Sequence, residues 1–185
     1  MASARPPQPV FYYDLGDPPC YLVAERIMAS LPVIPEWEPV IGAEVREPDP
    51  DPGRALVEQL ASEHGLQPVR WPPQWPPDTR EAMLAATYAK RVGRAVAFSL
   101  AAFRQAFAAG RDLGEQDTIL IAAAACEMHP TAVLKGIALR STAQALQTAT
   151  QRALDAGARS LPAIEFAGEL FSSPEAAAAA MRGGA

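Results

Sequence analysis

Cys20 is the residue best placed to carry chemistry in this chain. It follows an apolar run, Val10-Phe11-Tyr12-Tyr13, and a turn, Asp14-Leu15-Gly16-Asp17, and it falls in the first turn of a helix that Pro18 and Pro19 open. Free N–H groups and the helix dipole at such a position favour a thiolate. Asp17 works against this. As the N-cap it accepts the N–H of the second or third helical residue, Cys20 included, and a carboxylate beside a thiol raises the thiol pKa. Position alone leaves two readings of Cys20 open, a reactive thiol and a small buried packing residue. For Asp17, capping outweighs catalysis.

The other candidates carry weaker signals. Ser160-Leu161-Pro162 stands between a helix end at Gly157 and a strand at Ile164, a place that suits a cis X–Pro bond. His64 and His129 have no second His or Cys at ligand spacing, so no metal is expected, and both are placed near helix ends. Cys126 lies in an alanine run and reads as packing. Trp37, Trp71 and Trp75 read as core or loop anchors, with Trp71 and Trp75 also able to wall a pocket.

The elements that position these residues alternate. Val10–Tyr13 reads as a buried first strand, and Tyr21, Leu22, Ala24, Ile27, Met28 and Leu31 recur at helical spacing until Pro32 stops them. Glu36 to Ile41 fits a second strand, parallel to the first, with Pro39 marking an edge or a bulge. Pro48 to Gly53 reads as a loop. Helices then follow over Arg54 to His64, over Thr79 to Ala108 with a bend at Gly93, and over Glu115 to Met128, Thr131 to Leu139 and Thr142 to Ala156. Between the first two of these, the prolines of Trp71-Pro72-Pro73-Gln74-Trp75-Pro76-Pro77 impose an extended chain. Pro162 to Phe166 and Glu169 to Phe171 make a hairpin, and a helix from Pro174 to Met181 closes the chain. This order predicts an α/β domain with helices over one sheet and an all-α insertion.

Composition narrows the functional classes. A length of 185 residues with 49% hydrophobic content suits one self-sufficient core. A net charge of −5 provides no basic field for nucleic acid. Two cysteines are too few for a stapled secreted scaffold. The most apolar window, Ile119 to Cys126, is too short for a bilayer span, so no membrane association is expected. The first ten residues show no charged start followed by a long apolar run, and a cytoplasmic location is expected.

The turn Tyr13-Asp14-Leu15-Gly16-Asp17-Pro18-Pro19-Cys20-Tyr21-Leu22, taken with Ser160-Leu161-Pro162, resembles the DsbA superfamily of thioredoxin-fold proteins. Glu36 to Val40, and His64-Gly65-Leu66 through Trp75-Pro76-Pro77-Asp78-Thr79, are similar in order to the branch that holds 2-hydroxychromene-2-carboxylate isomerases and kappa-class glutathione transferases. The resemblance implies a thioredoxin-like α/β fold with a helical insertion: one domain over residues 1–185, a core at about 8–50 and 141–185, and an insertion at about 53–140. It also implies a cis-proline at Pro162 facing the turn, with the Leu161 backbone, Pro18, Pro19, Trp75, Asp78 and Ser173 at the substrate or thiol site. Glutathione or another low-molecular-weight thiol is the implied cofactor and a small molecule the implied partner. A homodimer is left open.

The sequence departs from the family pattern at the turn itself. Redox members carry two cysteines there, whereas Asp17 takes the first position and only Cys20 remains, so disulfide exchange within the turn is impossible. Glutathione-using members place a serine where Asp17 stands, an asparagine where Asp78 stands, and an acidic residue where Pro174 stands. Three readings follow, in this order: an oxidoreductase-like enzyme working through the single thiol of Cys20, an isomerase- or transferase-like enzyme using Asp17 on a small aromatic or apolar substrate, and a non-catalytic binding protein on the same fold.

Overall fold

A computed structural model describes residues 7–46, 51 and 53–183 of the chain. Its sheet has four strands in the order β2-β1-β3-β4. The first strand, β1 (Val10–Tyr13), is buried along its whole length because it lies between two neighbours. An unbroken apolar run is what such a strand requires. It pairs in parallel with β2 (Glu36–Pro39) and antiparallel with β3 (Ala163–Phe166), which forms a hairpin with β4 (Glu169–Phe171). Pro39 ends β2 at the sheet edge, where its missing N–H costs no ladder bond.

Between β1 and β2 runs α1 (Pro18–Ser30), capped by Asp17 and held at its start by two prolines. Its buried face meets the sheet and α5 (Ala95–Phe107), where Tyr13 packs on Phe103 and Tyr21 stacks on Phe107. On the same side of the sheet Trp37 sets its ring edge-on to Phe11 and Tyr13.

The helical insertion comprises α3 (Arg54–Glu63), α4 (Arg80–Arg91), α5 (Ala95–Phe107), α6 (Gln116–Ala125) and α7 (Pro130–Ala138). The bend expected at Gly93 is there: its φ of 74° ends α4 and lets α5 turn back against it. The helix expected to reach Met128 stops three residues earlier, at Ala125, because Glu127 takes a left-handed φ of 61°. Two helices return to the core, α8 (Arg140–Asp155) and α9 (Pro174–Gly183).

One short element was not expected from the sequence, α2 (Gly42–Val45), directly after β2. The loop expected over Pro48 to Gly53 lies largely outside the described residues. His64 caps the end of α3 and His129 caps the start of α7, its Nδ1 accepting the Thr131 N–H at 3.2 Å. Cys126 is buried, with its thiol on the Ala122 and Ala123 carbonyls. No helix among the described residues is long and apolar enough to cross a membrane.

Candidate functional site

The β1–α1 turn is built by Asp14 and Asp17. The Asp17 N–H donates to the Asp14 carbonyl at 3.2 Å, and the Gly16 N–H donates to the Asp14 carboxylate at 2.8 Å, which closes the turn on itself. Asp17 then leads into α1 with an extended backbone, and its Oδ2 accepts the Cys20 N–H at 3.0 Å. The capping expected of Asp17 is thus present.

This turn forms one wall of a cleft of about 640 Å³. Across from it stand the start of α2, the segment from Trp75 to Thr79 with the first turns of α4, and one face of α8. Asp17, Pro18, Pro19, Trp75, Asp78 and Leu161 all line the cleft. The Leu161–Pro162 bond is cis, as is Trp75–Pro76. Much of the surface is apolar, from Ile41, Pro77, Met83, Leu84 and Leu146. Trp75 packs edge-on against Trp71, 5.6 Å between ring centres, and Trp71 is itself fixed by an N–H donated to Glu58 at 2.6 Å.

Three residues expected at the site stand elsewhere. Cys20 is completely buried and does not line the cleft, because the same helical turn that exposes Asp17 points the thiol into the core. Ser173 caps α9, accepting the Ala176 N–H at 3.2 Å, and is not among the cleft residues. Pro162 is buried and is also not among them.

The two titratable groups of the turn respond differently to their surroundings. Burial pushes the Asp17 carboxyl up to about 6; the Cys20 amide and thiol pull it back, the neighbouring Asp14 pushes it further up, and Arg46 pulls it down. Arg46 reaches it only loosely, Nη2 to Oδ1 at 3.5 Å. Burial raises the Cys20 thiol well above its ordinary value, and the negative Asp17 adds to the rise. The thiolate that the helix start would favour is therefore suppressed. A carboxyl with 13% of its side chain exposed to a cleft and a pKa close to neutrality can both take and give a proton.

Several cleft residues escaped sequence reasoning. Asp14 read only as a turn former, Thr79 only as a helix start and the end of a family-like segment, and Arg46 and Arg80 had no local pattern around them. Arg80 makes no hydrogen bond or ion pair through its side chain with any described residue, and it lines the cleft beside Asp78. Among the described residues no three His, Cys, Asp or Glu side chains are grouped to hold a metal ion.

Comparison with known proteins places this geometry in a family. No curated protein matches the sequence. Several solved structures share the fold, two of them as follows. A 2-hydroxychromene-2-carboxylate isomerase superposes with a TM-score of 0.81 at 13% identity, over 95% of this chain and 93% of its own. A probable DsbA oxidoreductase from Streptomyces coelicolor superposes with a TM-score of 0.74 at 16% identity, over 96% of this chain and 89% of its own. The model of the DSBA-like thioredoxin domain matches residues 42–181, a stretch that begins after the Asp17 to Cys20 turn. With the helical insertion, the closing hairpin and most of its length matched, the chain belongs to the DSBA-like thioredoxin domain family.

Proposed function

We propose that this protein is an enzyme that moves a proton on a small, largely apolar or aromatic substrate held in the cleft, with Asp17 as the acid–base group. The observation that carries this reading is a carboxyl at the cleft wall whose pKa burial raises to about 6. In its ionised form Asp17 takes a proton from one substrate atom, and in its protonated form it returns that proton to another, so no oxidant or second substrate is consumed. Trp75, Met83, Leu84 and Leu146 keep water away from the transfer, and Arg46 and Arg80 stand where an acidic substituent would be held. The shared fold with an isomerase fits this chemistry, though fold alone does not fix it.

Thiol chemistry at Cys20 is the weaker reading, because its sulfur is buried and its proton firmly held. A glutathione cofactor fits the residues poorly for a related reason. The Cys20 amide that would support a cofactor thiolate is already taken by Asp17, and an ionised Asp17 repels such a thiolate.

The reading is tested by incubating the protein with a panel of small aromatic and apolar carbonyl and enol compounds in heavy water and following deuterium uptake by mass spectrometry. Asp17→Asn is expected to lower exchange by about 10²–10⁴-fold, the usual scale of general acid–base catalysis, while Cys20→Ser stays near the wild type. Loss of activity in Cys20→Ser with retention in Asp17→Asn would reject it.

A further inference from the structure

Asp14 stands out among the buried groups to which no chemistry is yet assigned. It is 8% exposed and lies at the end of the central strand. Its carboxylate accepts three donors from three different elements: the Gly16 N–H at 2.8 Å from its own turn, the Gly42 N–H at 2.8 Å from the start of α2, and the Thr79 hydroxyl at 3.0 Å from the residue before α4. Those three elements are walls of the cleft. The fit around the carboxylate is close, since a Cβ on Gly42 would stand 2.9 Å from Asp14 and one on Gly16 would stand 2.6 Å from the Thr79 methyl.

We propose that Asp14 is the positioning residue of the site: its carboxylate ties the β1–α1 turn, α2 and α4 together at one point, and in doing so fixes where Asp17 stands and which charge Asp17 feels. The proposal rests on Asp17 being the working carboxyl of the cleft. Two of the three donors are backbone N–H groups that can only donate, so they require an acceptor at this point, and no neutral side chain of the same shape offers as much. Burial raises the Asp14 carboxyl above its ordinary range, while the bonds from Gly16, Gly42 and Thr79 act in the opposite direction. Ionised, it is a like charge facing Asp17. The other charged or titratable groups around Asp17 are Arg46 at the end of α2 and Cys20 on α1, with Glu44, Asp78 and Arg80 also on the cleft.

The test follows the Asp17 carboxyl by carbon-13 NMR titration, together with amide hydrogen exchange, in the full chain and in two variants. In Asp14→Asn the Gly42 N–H meets an amide in place of a carboxylate and the like charge is gone. The Asp17 midpoint is then expected to fall below about 6 by only part of its rise, because burial is the larger cause, and the Gly16 and Gly42 amides to exchange at least tenfold faster. In Thr79→Val the charge stays but one anchor is lost. There the midpoint is expected to move less, while the same amides still exchange faster. A cooperatively melting Asp14→Asn protein whose Asp17 midpoint stays at about 6 overturns the proposal. If Asp14→Asn does not fold, Thr79→Val decides alone, and unchanged Gly16 and Gly42 protection there also overturns it. Neither readout is turnover. A failure of Asp17→Asn to lower exchange of substrate protons would instead reject the acid–base reading and leave the anchoring by Asp14 standing.

Discussion

At Asp17 the same burial that tunes the carboxyl for proton transfer also costs the fold. An aspartate whose folded pKa lies near 6 binds its proton more tightly when folded than when unfolded, where the ordinary value is 3.8. Folded protein then holds more protons through that interval, so stability falls as pH rises across it. The shift corresponds to at most ~3 kcal/mol at neutral pH, since one unit is worth about 1.4 kcal/mol. Asparagine caps a helix as well as aspartate does. Asp17→Asn is therefore expected to raise the melting temperature at pH 7.5 and to show little gain at pH 4, a comparison made by thermal denaturation at both values. Cys20 gives a second prediction. Its buried, protonated thiol should resist alkylation by iodoacetamide in the folded state and react fully in denaturant, as read by mass spectrometry. Alkylation of Cys20 in the native protein would restore thiol chemistry as the leading reading. The turn holding both residues was legible because its signals are local: a cap, two prolines and a preceding apolar strand. The role of Asp14 was not, because Gly42 and Thr79 lie 28 and 65 positions away in the chain.

Elements were readable wherever proline or glycine punctuates an apolar period. Pro18, Pro130 and Pro174 each open a helix within a residue of the expected start, and Gly93 separates α4 from α5. The short α2 escaped because Gly42–Val45 is too brief to show a period, and its place is set by what it touches: the Gly42 N–H on Asp14 and the Ile41 N–H on the Thr150 hydroxyl of α8 at 3.0 Å. Close packing of elements is likewise invisible in the sequence. Gly136, in the middle of α7, looks like a flaw in a helix, since alanine there is favoured by about 1 kcal/mol in isolation. In the fold it is buried, and a Cβ at Gly136 would run into the Tyr88 ring of α4. Gly136→Ala is thus expected to destabilise the protein by about 1–3 kcal/mol despite its better helix propensity, because overpacking outweighs that gain. Chemical denaturation of the variant checks the sign, and an increase in stability would show that α7 can move off α4.

Across the whole molecule, the helical insertion and the thioredoxin-like core are joined by charge as well as by apolar packing. Glu36 and Glu38 project from one face of edge strand β2; their alternation with Trp37 was visible in the sequence, but their partners were not. Lys90 of α4 sets its Nζ 2.7 Å from both carboxylates, and Arg152 of α8 reaches Glu38 at 3.1 Å and Glu36 at 3.5 Å. Glu38 keeps only 9% of its side chain exposed, and these two cations are its ion-pair partners. At Glu36 burial alone would raise the carboxyl, yet Lys90 and Arg152 outweigh it and hold the pKa below its ordinary 4.5. A carboxylate lowered in this way adds stability that is complete above its unfolded value and is lost as pH falls through its folded one. Lys90→Met keeps the aliphatic stem but removes the cation that belongs to the insertion, leaving Glu38 with Arg152 alone. The expected loss is about 1–3 kcal/mol at pH 7, less than for a fully buried pair because one partner cation remains. It should shrink as pH falls through the lowered folded pKa of Glu36. Hydrogen exchange should show the extra opening in α4 and β2 together if the tie joins insertion to core. Opening confined to α4 would mean that the apolar contacts alone carry the connection, with the charges only decorating it.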